Sequence, residues 1–188
     1  MATVLILGAT SAMGRALAKQ FASKGFDLQL AARRMDDLKT LRWDLKIRFN
    51  ISCILHSFDA TVLDSHQLFW ESLPVIPDIS IVVFGYMDDN QLAFNNQESF
   101  LNTINVNYTG AASILNIISR TYKDQKRGLI AGVSSVAGDR GRGSNYIYGS
   151  AKAAFTAYLS GLRNEMTPFG VHVLTVLPGF VYTKMTEI

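Results

Sequence analysis

The side chains best suited to chemistry are a tyrosine and a lysine, Tyr148 and Lys152, which stand four residues apart. Residues four apart lie on one face of a helix. On such a face, an ammonium group lowers the free-energy cost of ionising a nearby phenol, whose ordinary pKa is about 10. The spacing therefore predicts a tyrosine that exchanges protons near neutral pH, as a general acid must when a carbonyl is reduced.

A glycine-containing turn near the start of the chain could bind an anion. The turn begins at Gly8 and ends at Gly14, and it joins an apolar run to a helical pattern. Backbone N–H groups at the start of a helix attract anions, and glycine lets the backbone approach a pyrophosphate closely. Ala12 fills the middle position of the usual three-glycine pattern, so an ordinary tight turn is the alternative. The dinucleotide contacts expected from this turn are Gly8, Thr10, Ser11, Ala12, Met13 and Gly14.

Short apolar runs alternate with longer helical patterns along the chain. The predicted strands are Val4 to Leu7, Leu28 to Ala31, Ile51 to Leu55, Ile79 to Phe84, Gly128 to Val133 and Val171 to Leu177. The predicted helices are Met13 to Lys24, Met35 to Phe49, about Asn96 to Lys123, and Tyr146 to Met166. This alternation predicts an α/β fold, a Rossmann-type doubly wound parallel sheet with helices on both faces. We expect residues 1–188 to form a single domain.

Each predicted strand is followed by a residue of chemical interest. In a sheet of this kind, ligands bind beyond the carboxyl ends of the strands, where the strand order reverses. We therefore expect one crevice, ringed by the six turns that contain Gly8 to Gly14, Arg33, Asp59, Gly85, Ser135, and Pro178 with Gly179.

The end of the second predicted strand indicates which dinucleotide would fit this crevice. An NAD-binding fold offers an acidic residue to the adenosine ribose here, but this chain has Ala32 followed by Arg33 and Arg34. Guanidinium groups suit a 2′-phosphate. The sequence thus favours NADP(H) over NAD(H), with Arg33 as a cofactor ligand and Arg34 either beside it or on a solvated face.

Several motifs occur in the order and spacing of the short-chain dehydrogenase/reductase family, and the chain resembles that family over nearly its whole length. They are the turn from Gly8 to Gly14, Asn107, Ser135, the pair of Tyr148 and Lys152, and the stretch from Pro178 to Thr183. The resemblance implies an NAD(P)-dependent oxidoreductase.

The resemblance also implies a role for each polar side chain. Tyr148 would donate a proton to a substrate carbonyl oxygen, and Ser135 would hydrogen-bond that oxygen. Lys152 would hold the nicotinamide ribose and keep the phenol acidic, while Asn107 would anchor a water that links Lys152 to solvent. Asp59 would contact adenine, unless it is only a helix N-terminal carboxylate. Further cofactor contacts are implied for Ala60, Phe84, Gly85, Pro178, Gly179, Val181 and, at the carboxamide, Thr183.

The chain departs from the family pattern in two places. After the fourth strand, Val82, Val83, Phe84 and Gly85 replace the usual Asn-Asn-Ala-Gly, so the amides that tie this strand to its neighbours are missing. The sequence also ends at Ile188, about where the family's substrate-covering segment and last strand would begin. We therefore expect the chain to lack that segment.

Stretches around Phe84, Asn107 and Ser135 resemble the keto-sugar-reducing branch that includes the keto-reductase partner of decaprenylphosphoryl-ribose 2-epimerase. This resemblance implies a keto-sugar, attached to a polyprenyl phosphate or a nucleotide. Arg140 and Arg142 either meet a substrate phosphate or are ordinary loop arginines. Two alternatives stay open: a short-chain reductase for another carbonyl, such as a 3-oxoacyl thioester, a steroid or a simple ketone, and a non-catalytic NADP(H)-binding protein.

Composition argues against other classes of function. A net charge of +3 is spread along the chain without a basic cluster, so nucleic acid is not an expected partner. His56, His66 and His172 lack metal-ligand spacing, and we expect no metal site. No apolar run approaches the roughly 20 residues of a membrane-spanning helix. The single cysteine, Cys53, and the lack of a leader favour the cytoplasm. The family resemblance also implies that the protein forms a homodimer or homotetramer.

Overall fold

Residues 2–181 are described by the computed structural model, and six parallel strands form their central sheet. The strand order is β3-β2-β1-β4-β5-β6, so the order reverses between β1 and β4. This arrangement confirms the predicted Rossmann-type fold. The strands are β1 (Thr3–Leu7), β2 (Asp27–Ala32), β3 (Cys53–Ser57), β4 (Ile79–Val82), β5 (Leu129–Val133) and β6 (His172–Val176).

Helices cover both faces of the sheet. Along β1, Leu5 and Leu7 enter one core and Val4 and Ile6 enter the other, because successive strand side chains point to opposite faces. The first core lies under α6 and α7, and the second lies under α1 and α2. The helices are α1 (Ala12–Ser23), α2 (Lys39–Phe49), α3 (His66–Glu71), α4 (Asn90–Asn95), α5 (Gln97–Ile104), α6 (Gly110–Gln125) and α7 (Tyr146–Met166).

Two predicted strands differ from the structure by two residues at an end, and the other four differ by one residue. β3 begins at Cys53 rather than Ile51, because Cys53 pairs with Leu28 while the Ser52 N–H donates to the Asp27 carboxylate at 2.8 Å. Ile51 is buried before the strand begins, and burial alone made it look like part of the strand. β4 ends at Val82, two residues earlier than predicted.

The long helix predicted from about Asn96 to Lys123 is divided into α5 and α6. A π-helical turn, Asn105–Thr109, joins them. Such a turn widens the helix locally, which hydrophobic spacing does not reveal. Its consequence is that Asn107 points inward and is only 1% exposed.

Two short helices were not predicted. α3 follows a 3₁₀ turn at Leu63–Ser65 and is anchored by the buried side chains of Phe69 and Trp70. α4 begins where the Asp89 carboxylate accepts hydrogen bonds from two backbone N–H groups. Both are too short to show a clear apolar period. Within residues 2–181, no helix has the length and apolar character needed to cross a membrane.

Candidate active site

Three adjoining cavities run along the carboxyl edge of the sheet. They are named here the Arg33 cavity (about 430 Å³), the Lys152 cavity (about 440 Å³) and the Asn145 cavity (about 130 Å³). Thr10, Ser11, Phe84 and Gly85 line both of the first two. Met13, Ser134 and Tyr148 line both the second and the third. The turns expected to meet at one crevice therefore do meet.

The turn after β1 leaves an open cradle beside the start of α1. Gly8 has φ +98°, and a Cβ atom there would lie 2.5 Å from the Phe84 backbone nitrogen. A Cβ at Gly14 would lie 2.5 Å from the Gly8 carbonyl oxygen. Ser11 caps α1 by accepting a hydrogen bond from the Gly14 N–H at 3.0 Å. Only glycine permits this close packing, which leaves the first turn of α1 facing the cavities.

Arg33 and Arg34 differ in their surroundings, although both line the Arg33 cavity. Arg34 pairs with the Asp37 carboxylate at 3.0 Å on the surface. Arg33 makes no hydrogen bond or ion pair within residues 2–181, and Ala32 beside it is buried. The Arg33 guanidinium is therefore the group best placed to bind an anion at this end of the crevice.

Asp59 and Ala60 follow β3 and line the Arg33 cavity. Burial opposes ionisation of Asp59, but hydrogen bonds from the Thr61 N–H and hydroxyl and the charge of Arg33 lower its pKa overall. The Asp59 carboxylate accepts both Thr61 bonds, at 2.9 and 2.7 Å. The His66 Nε2 atom lies 3.2 Å from the Asp59 carbonyl oxygen and so holds the backbone of the loop that follows β3.

Ser135 and Tyr148 are brought together by tight packing between the turn after β5 and the start of α7. A Cβ at Gly149 would lie 2.6 Å from the Ala137 carbonyl oxygen, and one at Gly138 would lie 2.7 Å from the Ala153 nitrogen. The two segments therefore approach at backbone distance. As a result, Ser135 and Tyr148 line the Asn145 cavity together.

The expected lowering of the Tyr148 pKa was wrong. Burial raises the pKa of the phenol, and interaction with the Ser135 hydroxyl lowers it only in part. The Lys152 ammonium lies 5.8 Å from the centre of the Tyr148 ring and donates to the Val133 carbonyl oxygen at 3.1 Å. The Lys152 ammonium lies over the Tyr148 ring, and Tyr148 keeps its proton at neutral pH.

Lys152 is 3% exposed, and burial lowers its pKa from 10.5 to about 8. Between these two values the unfolded chain binds more protons than the folded one, so this residue's contribution to stability rises with pH. Relative to a Lys152→Met variant, wild type should gain about 1 kcal/mol in unfolding free energy from about pH 7 to about pH 9. Urea unfolding at both pH values measures this; a constant difference would contradict the buried ammonium.

Asn107 does not reach Lys152 through its side chain. Its amide oxygen accepts from the Tyr86 N–H at 3.2 Å, and its Nδ2 donates to the Tyr86 and Thr103 carbonyl oxygens. The side chain therefore clamps the backbone just after β4, where the asparagine-rich motif is missing. The expected water between Asn107 and Lys152 stays a prediction.

Three further predicted residues lie at the far end of the crevice. Pro178, Gly179 and Val181 line the Asn145 cavity, and the Pro178 carbonyl oxygen accepts from the Val136 N–H at 3.2 Å. Thr183 lies outside the described residues. Among residues 2–181, no group of three or more histidine, cysteine, aspartate or glutamate side chains could hold a metal ion.

Sequence reasoning missed two residues that shape the crevice. Arg15 donates to the Thr10 carbonyl oxygen at 3.2 Å and to the Asp37 carbonyl oxygen at 2.7 Å, which ties the glycine turn to the segment before α2. Asn145 lines the third cavity beside Tyr148. Arg15 directly follows the motif and could have been found; Asn145 carries no signal in composition or spacing.

Comparison with known proteins gives a consistent result. The family model described as short chain dehydrogenase matches residues 2–188. An uncharacterized oxidoreductase of Mycobacterium tuberculosis is 33% identical over 191 residues, covering 99% of this chain and 76% of that protein. The 3-oxoacyl-[acyl-carrier-protein] reductase of Bos taurus is 27% identical, covering 97% and 76%. The structure of a short-chain dehydrogenase from Sphingobium yanoikuyae in complex with NADPH has a TM-score of 0.91 at 26% identity, covering 98% and 73%.

Proposed function

We propose that this chain, which belongs to the short-chain dehydrogenase family, is an NADPH-dependent reductase that converts a carbonyl to an alcohol. Family membership makes it an oxidoreductase; the cofactor preference, the residue roles and the substrate are the proposal. The observation that carries it is the meeting of Ser135, Tyr148 and Lys152 at the strand edge that also holds the glycine turn and Arg33.

The residues of the crevice fit a phosphorylated dinucleotide. The cradle at Gly8 and Gly14 would be filled by any larger side chain, and the start of α1 offers N–H groups to a pyrophosphate. The Arg33 guanidinium would bind the 2′-phosphate, while Asp37, which would repel that phosphate, is already paired with Arg34. Ala60, Phe84 and Gly85 would line the adenosine end, with Asp59. When bound, the cofactor supplies the hydride.

The chain's own side chains would manage the proton. Burial keeps Tyr148 protonated, so its hydroxyl can donate to the carbonyl oxygen as negative charge develops there. The Ser135 hydroxyl shares the cavity and would hydrogen-bond the same oxygen. Once the phenol has given up its proton, the nearby Lys152 ammonium would stabilise the phenolate, because charges interact strongly in a buried site. Lys152 would also hold the nicotinamide ribose, and Pro178, Gly179, Val181 and Thr183 the nicotinamide end.

Replacing Arg33 with alanine should weaken NADPH binding roughly 10- to 100-fold, because this fold-change corresponds to the free energy of one charge-assisted hydrogen bond. NADH binding should be nearly unchanged, because NADH lacks the 2′-phosphate. Titration of purified protein with each cofactor, followed by nicotinamide fluorescence, measures both affinities.

Arg48→Ala is the matched control, because Arg48 is an exposed arginine on α2 whose only ion pair within residues 2–181 is with Asp44 in the same helix. It should leave both affinities unchanged. Equal weakening of NADPH and NADH in Arg33→Ala would remove the phosphate role. Failure of wild type to bind either cofactor would overturn the proposed function itself.

The substrate part of the proposal is a keto-sugar linked to a lipid phosphate or a nucleotide. The exposed Arg142 lines the Asn145 cavity, where it can meet a phosphate on such a substrate. The bovine relative, named for 3-oxoacyl reduction, makes a 3-oxoacyl thioester the second candidate. Turnover of both classes by the purified enzyme distinguishes the two.

The proposal includes assembly and location. Ala153, Ala154 and Ala157 form a small-residue strip on α7 that is partly or fully exposed, which would let two copies pack closely as a homodimer or homotetramer. Cys53 is a buried free thiol, which suits the reducing cytoplasm.

A further inference from the structure

The outward face of α2 carries two large apolar side chains. Trp43 is 58% exposed and Ile47 is 79% exposed. They stand four residues apart, so they lie together on one face of the helix, opposite to the buried Leu41 and Leu45. The outward face of a surface helix is normally polar, whereas this one places an indole ring and a branched alkyl group side by side in water.

Cations surround this apolar pair. The Arg42 guanidinium carbon and the Lys46 ammonium each lie 5.8 Å from the centre of the Trp43 ring. Within residues 2–181, neither of these two side chains forms an ion pair with a carboxylate. Their charges are therefore available to an anionic partner at the same place where the apolar groups are exposed. Two more exposed cations of α2 already have carboxylate partners: Lys39 pairs with Asp36, and Arg48 pairs with Asp44.

The net positive charge of the protein is concentrated in this part of the chain. Residues 33–49 include six arginines and lysines and three aspartates, so their net charge of +3 equals that of the whole protein. The expectation that this charge is spread along the chain was therefore wrong. No more than two of the six cations are adjacent in the sequence, so the cluster appears only when the helix brings them onto one surface.

An apolar centre with cations around it fits the surface of a membrane that contains anionic lipid. Tryptophan is favoured at the level of the lipid headgroups, where one side of its ring is in apolar surroundings and the other is hydrated. The Ile47 side chain would enter the boundary of the acyl chains, while Arg42 and Lys46 would meet lipid phosphates. A nucleic acid would satisfy the cations but would leave Ile47 in water. Lipid accounts for both parts of the face.

We propose that the outward face of α2, with Trp43 and Ile47 at its centre and Arg42 and Lys46 beside them, docks this protein on an anionic membrane surface. The contact is peripheral, because one face of a short helix enters only the headgroup region and the boundary of the acyl chains. The inference goes beyond the proposed reductase function and does not depend on it. None of these four residues lines the three cavities of the crevice.

Co-sedimentation with lipid vesicles measures the docking. Purified protein is mixed with vesicles of phosphatidylcholine alone, or of phosphatidylcholine and phosphatidylglycerol in equal amounts. Wild type should bind the mixed vesicles roughly 10-fold or more tightly, the fold-change expected of two cations at an anionic surface, and salt should reduce this preference. The fluorescence of Trp43 should shift to shorter wavelength on binding, whereas Trp70 is buried at 7% exposure and should contribute little to the shift.

Two double substitutions separate the apolar and the cationic parts of the face. Trp43→Ser with Ile47→Ser keeps the charge, and it should weaken binding to the mixed vesicles roughly 10-fold or more, because the apolar burial is lost. Arg42→Gln with Lys46→Gln keeps the apolar pair, and it should remove most of the preference for anionic lipid. NADPH affinity should be unchanged in both variants, since the substituted residues lie outside the three cavities.

Two variants are matched controls. Lys126→Gln with Arg127→Gln removes the same charge from an exposed site at the end of α6. Phe94→Ser removes another exposed aromatic ring, which is 66% exposed but stands between Asp89 and Glu98 in the sequence rather than among cations. Both controls should bind the mixed vesicles as wild type does.

Equal binding of wild type to both kinds of vesicle would overturn the inference, and so would unchanged binding after the loss of Trp43 and Ile47. If only the cation substitutions weakened binding, the face would be a site for a soluble polyanion, such as a nucleic acid or an acidic protein, and the lipid partner would be wrong. The vesicle preference and the fluorescence shift of wild type need no variant, so they test the inference even if one substitution impairs folding.

Discussion

Tyr148→Phe should lower kcat/KM for carbonyl reduction by roughly 10²- to 10⁴-fold, the contribution of a positioned general acid. Tyr148 shares the Asn145 cavity with Ser135, and burial keeps on its phenol a proton that it can donate. Removing only its oxygen leaves the ring against Lys152 and the packing of α7 in place. NADPH affinity should therefore change little, and the loss should fall on kcat.

Tyr146→Phe is the control for this substitution. Tyr146 lies in the same helix turn but is 42% exposed and does not line the three cavities. Loss of the Tyr146 hydroxyl should leave turnover unchanged. If Tyr148→Phe kept wild-type turnover, another group would have to supply the proton and the assignment of Tyr148 would be abandoned.

Gly110→Ala should destabilise the fold by about 3 kcal/mol, at the upper end of overpacking effects. A Cβ at Gly110 would lie 2.0 Å from the Ala60 carbonyl oxygen and 2.8 Å from its carbonyl carbon. Both are backbone atoms, so relief requires α6 to move away from the turn that carries Asp59. Because Ala60 and Asp59 line the Arg33 cavity, NADPH binding should weaken as well.

Urea unfolding measures the first effect, and Gly141→Ala is its matched control. Gly141 lies in an open loop where a Cβ would meet no atom within 4 Å, so its substitution should be nearly neutral. A Gly110→Ala protein as stable as Gly141→Ala would mean that α6 is free to shift and that the close approach at Ala60 does not position the crevice.

Much of the fold could be predicted because its elements leave strong local patterns. β1 is apolar from Val4 to Leu7, and β2 is apolar from Leu28 to Ala32 except for the buried Gln29, as expected of strands buried on both faces. α1 follows a glycine turn with a capping serine. The bounds of β3 could not be read from apolarity, since Ile51 is buried outside the strand. The π-turn at Asn107 was equally invisible, because one wide turn barely changes hydrophobic spacing.

The candidate site was predictable in position but not in electrostatics. Strand order brings Gly8, Arg33, Ser135 and Tyr148 to one edge, and topology alone implies this. The four-residue spacing of Tyr148 and Lys152 suggested a lowered phenol pKa, whereas burial raises it and the ammonium faces the ring. The cap of α7 comes from Asn90, whose Oδ1 lies 3.4 Å from the Ile147 nitrogen; Asn90 is distant in sequence, so no local pattern could reveal this contact.

The most direct test of the account is to follow the hydride itself. Purified protein is mixed with NADPH that carries deuterium at the transferred position of the nicotinamide and, separately, with a keto-sugar phosphate and a 3-oxoacyl thioester. The alcohol product is analysed by mass spectrometry. We expect one deuterium on the carbinol carbon with wild type and with Tyr146→Phe, and almost no product with Tyr148→Phe. Alcohol without deuterium, or equal labelling by Tyr148→Phe, would contradict carbonyl reduction by this crevice.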